Sequence, residues 1–333
     1  TGYISSTNLD IITPTFTNSG AIEADEKITA NNTTLNNTGY IGSNQELNLN
    51  GSNISNQGKL ESSNVEMNNL FAYNNLGGII NSNRVILSSN GSLTLNGSLH
   101  GENYVKVQSF SGDILIPIDA NVFGNQNVSS IGQIDISGRD IINHVNIGSD
   151  DVRIAGSGNV VNYGLIEGNT GDISGFNITN DNLIAFGTYL NLTGINKIIN
   201  NSGKAIYGGD QLDINFGDFE NNGGELLSLG IMNLNGNYLL NKVGTIQSLG
   251  DINLNVTRVD NIGKVDDLDQ YEKYYESWDG DIYTESKVNS SWNTDKGSGD
   301  LDDKTDRTSR LNGWLETNGY TSLLISNYRP QIV

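Results

Sequence analysis

The sequence predicts an all-β chain: a right-handed parallel β-helix of about 20 residues per turn, followed by a non-repetitive C-terminal segment. Three observations carry this. A motif recurs at a fixed interval, its apolar residues alternate with period two, and the residues between them are turn formers. The interval is plainest in Asn18, Asn37, Asn56 and Asn75, which stand nineteen residues apart. Two residues before each lies an apolar residue: Phe16, Leu35, Ile54 and Tyr73. Beyond a short Gly-containing step lie Ile22, Ile41, Leu60 and Ile79. The frame returns as Asn162 with Gly164 and Ile166, Asn201 with Gly203 and Ile206, Asn241 with Gly244 and Ile246, and Asn261 with Gly263 and Val265. A repeat of this length that drifts by a residue or two fits a stacked solenoid, whose loops tolerate small insertions.

The alternation is clear in Leu47-x-Leu49, Val65-x-Met67 and Ile252-x-Leu254-x-Val256. Period two places one face of a strand inward. Gly and Asn between the strands accept positive φ and so make turns. Leucine-rich repeats share much of this signal, but they need a helical or 3₁₀ stretch between strands. Here that stretch reads Gly-Ser-Asn-Ile-Ser-Asn at 51–56, so the β-helix is preferred. Composition agrees. The 333 residues include 51 Asn and 40 Gly with only 35% hydrophobics. A narrow core suffices when every backbone group pairs with the coil above and below, and stacked Asn side chains pair amide to amide. Residues 1–265 would make roughly 13 turns, a rod on the order of 60 Å at about 4.8 Å per turn.

Within 1–265 the repeat is less regular at 101–160. Alternation persists there in Ile114-x-Ile116-x-Ile118, Ile134-x-Ile136 and Val152-x-Ile154, while Pro117 removes a ladder donor and marks a bulge or loop. The segment 266–333 differs in kind. Residues 264–333 hold 14 acidic and 8 basic residues and all three tryptophans. Asp266 to Ser277 has the spacing of a short helix, and 293–310 reads as a solvated loop.

Charge and composition exclude several functions. A net charge of −20 repels phosphate backbones, so no nucleic-acid partner is expected. The absence of Cys removes disulfides, thiol catalysis and Cys-ligated metal sites. No apolar run reaches the length of a membrane span, and no signal peptide opens the chain. It begins within the repeat pattern, which reads as a piece of something longer.

Candidate sites are few. Asp210, Asp213, Asp218 and Glu220, with Arg258 in a later turn, form the densest acidic cluster of the repeats. Paired carboxylates serve acid–base chemistry at suitable separation, but a solvated strand edge is the simpler account, and no catalytic residue is assigned. His100 and His144 lack partners at metal spacing. Asp279-x-Asp281 and Asp300-x-Asp302-Asp303 with Asp306 gather hard oxygens without an EF-hand pattern, so no metal or cofactor is expected. The strongest partner-binding candidates are Trp278, Trp292 and Trp314, with Tyr274 and Tyr275 nearby. Aromatics concentrated in one segment make hot spots, or else pack that segment over the open end of the rod.

The unit Asn-x-Gly-x-Ile followed by Leu-x-Leu, over about 1–265, resembles the filamentous-haemagglutinin repeats of two-partner-secretion exoproteins. That family includes adhesins, haemolysins and contact-dependent-inhibition toxins. Tyr328-Arg329-Pro330-Gln331-Ile332-Val333 resembles the step at which such proteins resume their β-helix after a non-repetitive interruption, here at 329–333. The Asn-Pro-Asn-type motifs of the family's secretion domain and its C-terminal toxin domains are not found, as in an internal fragment. The resemblance implies a monomeric structural shaft, not an enzyme, that projects adhesive or toxin regions. It further implies secretion to the surface of a Gram-negative-type bacterium through an outer-membrane two-partner transporter, and a receptor or glycan on a target cell as partner. Three rival functions remain at this point: a binding module acting through the C-terminal segment, the shaft of a cytolysin, and a polysaccharide-degrading β-helix.

Overall fold

The computed structural model describes residues 2–70, 72–74, 77–118 and 127–262. They form a parallel β-solenoid of about 12 turns with about 20 residues per turn, and no helix occurs among them. Each coil has three sides. In one coil the strand Ala205–Gly208 makes the first side, and Gln211–Asn222 makes the second and third. That longer strand bends at Gly217, where pairing with the next coil skips a residue: Phe216 pairs Gly236 and Asp218 pairs Tyr238. All strand ladders are parallel, each coil pairing with the one before and the one after.

The alternation in the sequence becomes columns in space. On the first side one column runs from Ile22 through Ile41 and Leu60 to Ile80, and later from Ile184 through Ile206 and Leu226 to Ile246. On the second side two columns run in step, such as Leu190, Leu212 and Met232 beside Leu192, Ile214 and Leu234. On the third side Ile178, Ile198, Phe219 and Leu239 follow one another. All of these are buried. About four aliphatic side chains per coil, each contributing roughly 2 kcal/mol on burial, make a core one side chain wide.

The core also absorbs bulk across coils. Phe186 occupies a position where neighbouring coils carry Ser149 and Gly168. Its ring lies where a side chain at Gly171 would be, in the column otherwise held by Val152 and Leu190. Large and small residues compensate so that packing density is kept.

Two expectations need correction by one residue. The column partner of Leu60 is Ile80, whereas Ile79 pairs Lys59 and is 49% exposed. The structural asparagine of the corner at Gly203 is Asn200, fully buried, whereas the expected Asn201 lies outside and bonds Asp181. A slip of one residue turns a strand's side chains to the other face, so each correction exchanges inside for outside. The turn count falls from roughly 13 to about 12 because one coil is long: His100 meets Ser129 across 29 residues.

Candidate functional surfaces

The corner between the third and first sides is lined by asparagine. Asn18 Nδ2 donates to Asn37 Oδ1 at 2.8 Å, and Asn37 to Asn56 at 2.7 Å. A second ladder runs Asn143, Asn162, Asn180, Asn200, Asn221, Asn241 and Asn261, with steps of 2.8–3.0 Å. Each amide is also tied to backbone. Asn221 Nδ2 donates to the carbonyls of Gly224 and Thr245, and Asn143 Oδ1 accepts the N–H of Val145. Buried amides cost stability unless paired, and here the pairing repeats along the axis.

The corner explains the repeat glycines. A Cβ at Gly164 or Gly244 would collide with the ladder or the adjoining backbone: Val145 O in the first case, Asn221 Nδ2 in the second. Gly203 has open space around it and instead adopts φ +69°, a turn that an L side chain resists. Asn143, Asn180 and Asn221 belong to the ladder although the sequence motif missed them. The corners of Asn143 and Asn180 lack Asn-x-Gly, and the signal that finds all three is a core residue two positions earlier: Ile141, Ile178 and Phe219. Asn75, Gly263, Trp278, Trp292, Trp314, Tyr274 and Tyr275 lie outside the described residues, as do the acidic loop of 300–306 and the step at 329–333.

The acidic cluster does not converge. Asp213 is on the second side, where Tyr189, Gln211 and Asn233 all donate to its carboxylate. Asp218 and Glu220 are on the third side, and Glu220 is ion-paired to Lys197 at 2.6 Å. Arg258 is committed to Asp260 at 2.5 Å. His100 Nδ1 lies 2.9 Å from Ser129 Oγ, and His144 stacks on Tyr163 at 4.7 Å between ring centroids. Among the described residues no group of three or more His, Cys, Asp or Glu is placed to hold a metal ion. No helix among them is long and apolar enough to cross a membrane.

The outer surface carries a recurrent clamp in which a tyrosine hydroxyl donates to a carboxylate of the following coil. The pairs are Tyr3–Glu23 at 2.7 Å, Tyr40–Glu61 at 3.3 Å, Tyr104–Asp135 at 2.7 Å, Tyr189–Asp213 at 3.0 Å and Tyr238–Asp260 at 2.9 Å. Burial, then the bonded carboxylate, pushes the Tyr104 and Tyr189 phenols up to about 12. Arg258, then Tyr238, holds Asp260 below the usual carboxylate range. A groove of about 840 Å³ runs along the first side past the first two clamps and reaches His100 and Glu102. No family model, curated protein or solved structure matches this chain.

Proposed function

We propose that the chain is a shaft segment of a filamentous-haemagglutinin-type exoprotein. It spaces adhesive or toxin regions away from the surface of the Gram-negative-type bacterium that displays it. It reaches that surface through an outer-membrane two-partner transporter and performs no catalysis of its own. The observation that supports this reading most is the stacking itself. Coil after coil repeats one set of aliphatic columns, so reach grows by about 4.8 Å per coil with no cofactor needed. The carboxylates that would serve a polysaccharide-degrading site are instead spread over different sides and bonded to Tyr, Gln, Asn and Lys. Extracellular labelling tests the proposal. Antibodies raised against 1–333 should stain intact cells of the producing bacterium, and should lose that staining when its outer-membrane transporter gene is deleted. Staining only after lysis would overturn the reading.

A further inference from the structure

The five tyrosine clamps share one plan, and one of them is incomplete. In each, the residue that pairs with the tyrosine on the following coil stands two positions before the carboxylate. Beneath Tyr40 this residue is Lys59, whose Nζ meets Glu61 at 2.8 Å and sits 6.0 Å from the Tyr40 ring centroid. Beneath Tyr238 it is Arg258, 5.1 Å from the ring and bonded to Asp260. Beneath Tyr104 and Tyr189 it is Gln133 and Gln211, whose amides donate to Asp135 at 2.7 Å and Asp213 at 2.8 Å. Four carboxylates therefore receive a second donor from the chain beside the tyrosine. The fifth does not. Beneath Tyr3 stands Ala21, and among the described residues the Glu23 carboxylate is bonded to Tyr3 alone.

We propose that the Tyr3–Ala21–Glu23 set binds an alkylammonium group brought by another molecule, in the place that Lys59 fills two coils away. The template is on the same side of the rod and in the same column: Tyr3, Ala21, Tyr40 and Lys59 succeed one another by direct pairing. A cation seated above the Ala21 methyl gains the Glu23 carboxylate and the Tyr3 ring, the two contacts that Lys59 has in Glu61 and Tyr40. The position is accessible. Both Tyr3 and Glu23 line the 840 Å³ groove, which opens to solvent along the first side. The groove also suits a chain bearing several cations. Asp25 and Glu102 line it further along, and neither is ion-paired among the described residues. An anion would meet only carboxylates and dipoles here. A divalent metal would find one carboxylate where it needs several oxygens.

Calorimetric titration of the full chain with spermine and with a capped tetralysine peptide tests the site. Saturable binding of at least one probe is expected. Glu23→Gln and Ala21→Lys should each weaken it about ten-fold, the first by removing the carboxylate, the second by filling the site from within. Glu46→Gln makes the same charge change at a carboxylate on another side, paired to Lys27, and should leave affinity within about two-fold. Tighter spermine binding would make a free polyamine the source of the ammonium, and tighter peptide binding a lysine-bearing protein. Equal weakening by Glu46→Gln and Glu23→Gln would reduce the effect to diffuse attraction by the net charge and overturn the proposal. So would the absence of saturable heat from either probe with unaltered protein, its fold checked by circular dichroism.

Discussion

The corner that closes each coil is built in two ways, and the contrast shows what the asparagines do. From Asn143 onward every described coil places an amide there, and corresponding residues stay 18–21 positions apart. In the middle of the chain the same column is held by Leu95 and Ile116, both buried. Ile116 pairs directly with Asn143, and Leu95 continues the pairing of Leu93 and Thr94 with Ile114 and Leu115. An asparagine Oδ1 holds its own corner by accepting the N–H two residues on, as Asn18 does from Gly20. Ile116 has no such acceptor. Pro117 follows it, Ile118 is 75% exposed, and the coil grows to 29 residues. Aliphatic columns alone therefore stack coils, and at Leu95 they do so at the ordinary spacing, with Leu99 nineteen residues after its partner Ile80; the amide adds the hydrogen bonds that tie the corner backbone of one coil to the next.

Breaking the ladder should cost most. Asn221→Leu removes the bonds to Asn241, Gly224 and Thr245 and takes an acceptor from Asn200. The expected loss is about 4 kcal/mol in urea unfolding, since buried groups are left unpaired. The reverse change in the apolar corner should be asymmetric. Leu95→Asn directs its Nδ2 at Ile116, which offers no side-chain acceptor, and should cost about 3 kcal/mol, whereas Ile116→Asn can donate to Asn143 and should cost about 1 kcal/mol. Equal losses would mean that the ladder has no direction. A smaller effect of opposite sign is expected at the longest corners. Val243 follows Asn241 with φ 59°, a conformation hostile to a β-branched residue, so Val243→Gly should stabilise by about 1 kcal/mol.

Alkali separates the ladder from the tyrosine clamps, because amides do not titrate. Tyr104 and Tyr189 have folded pKa values near 12, above the ordinary tyrosine value of 10. Their contribution is complete below pH 10, where the phenol is neutral in both states. It is lost as pH rises from about 10 to about 12, because the unfolded chain ionises first. Phenolate absorbance should show Tyr104 and Tyr189 titrating late, with the Tyr40, Tyr73 and Tyr238 phenols also raised, and Tyr104→Phe with Tyr189→Phe should reduce the alkaline loss of stability while leaving the ladder intact.

The sequence revealed the solenoid because its two periods, two and about nineteen, are both linear. It revealed the corner less well. Asn-x-Gly marks only some of the structural asparagines, because membership of the ladder depends on standing two residues after a third-side core residue. Asn143 and Asn180 stand two residues after Ile141 and Ile178 without an Asn-x-Gly step, and Asn200 stands two after Ile198, one residue before the expected Asn201. Ile79 misled for a similar reason, since one added residue moves the inward side chain to Ile80. The clamps were not legible at all. Tyr104 and Asp135 are 31 residues apart, and Tyr189 and Asp213 are 24 apart. Such pairs meet only through the coil-to-coil register, which surface side chains do not announce.

Hydrogen exchange of asparagine side-chain amides tests the central claim most directly. In protein labelled only at asparagine nitrogen, the Nδ2 protons of Asn37, Asn162, Asn180, Asn200, Asn221 and Asn241, buried and bonded in series, should exchange far more slowly than those of exposed asparagines such as Asn8 and Asn31. Asn221→Leu should then release Asn200 and Asn241 first. Uniformly fast exchange across all asparagine side chains in the folded protein would contradict the ladder and the account built on it.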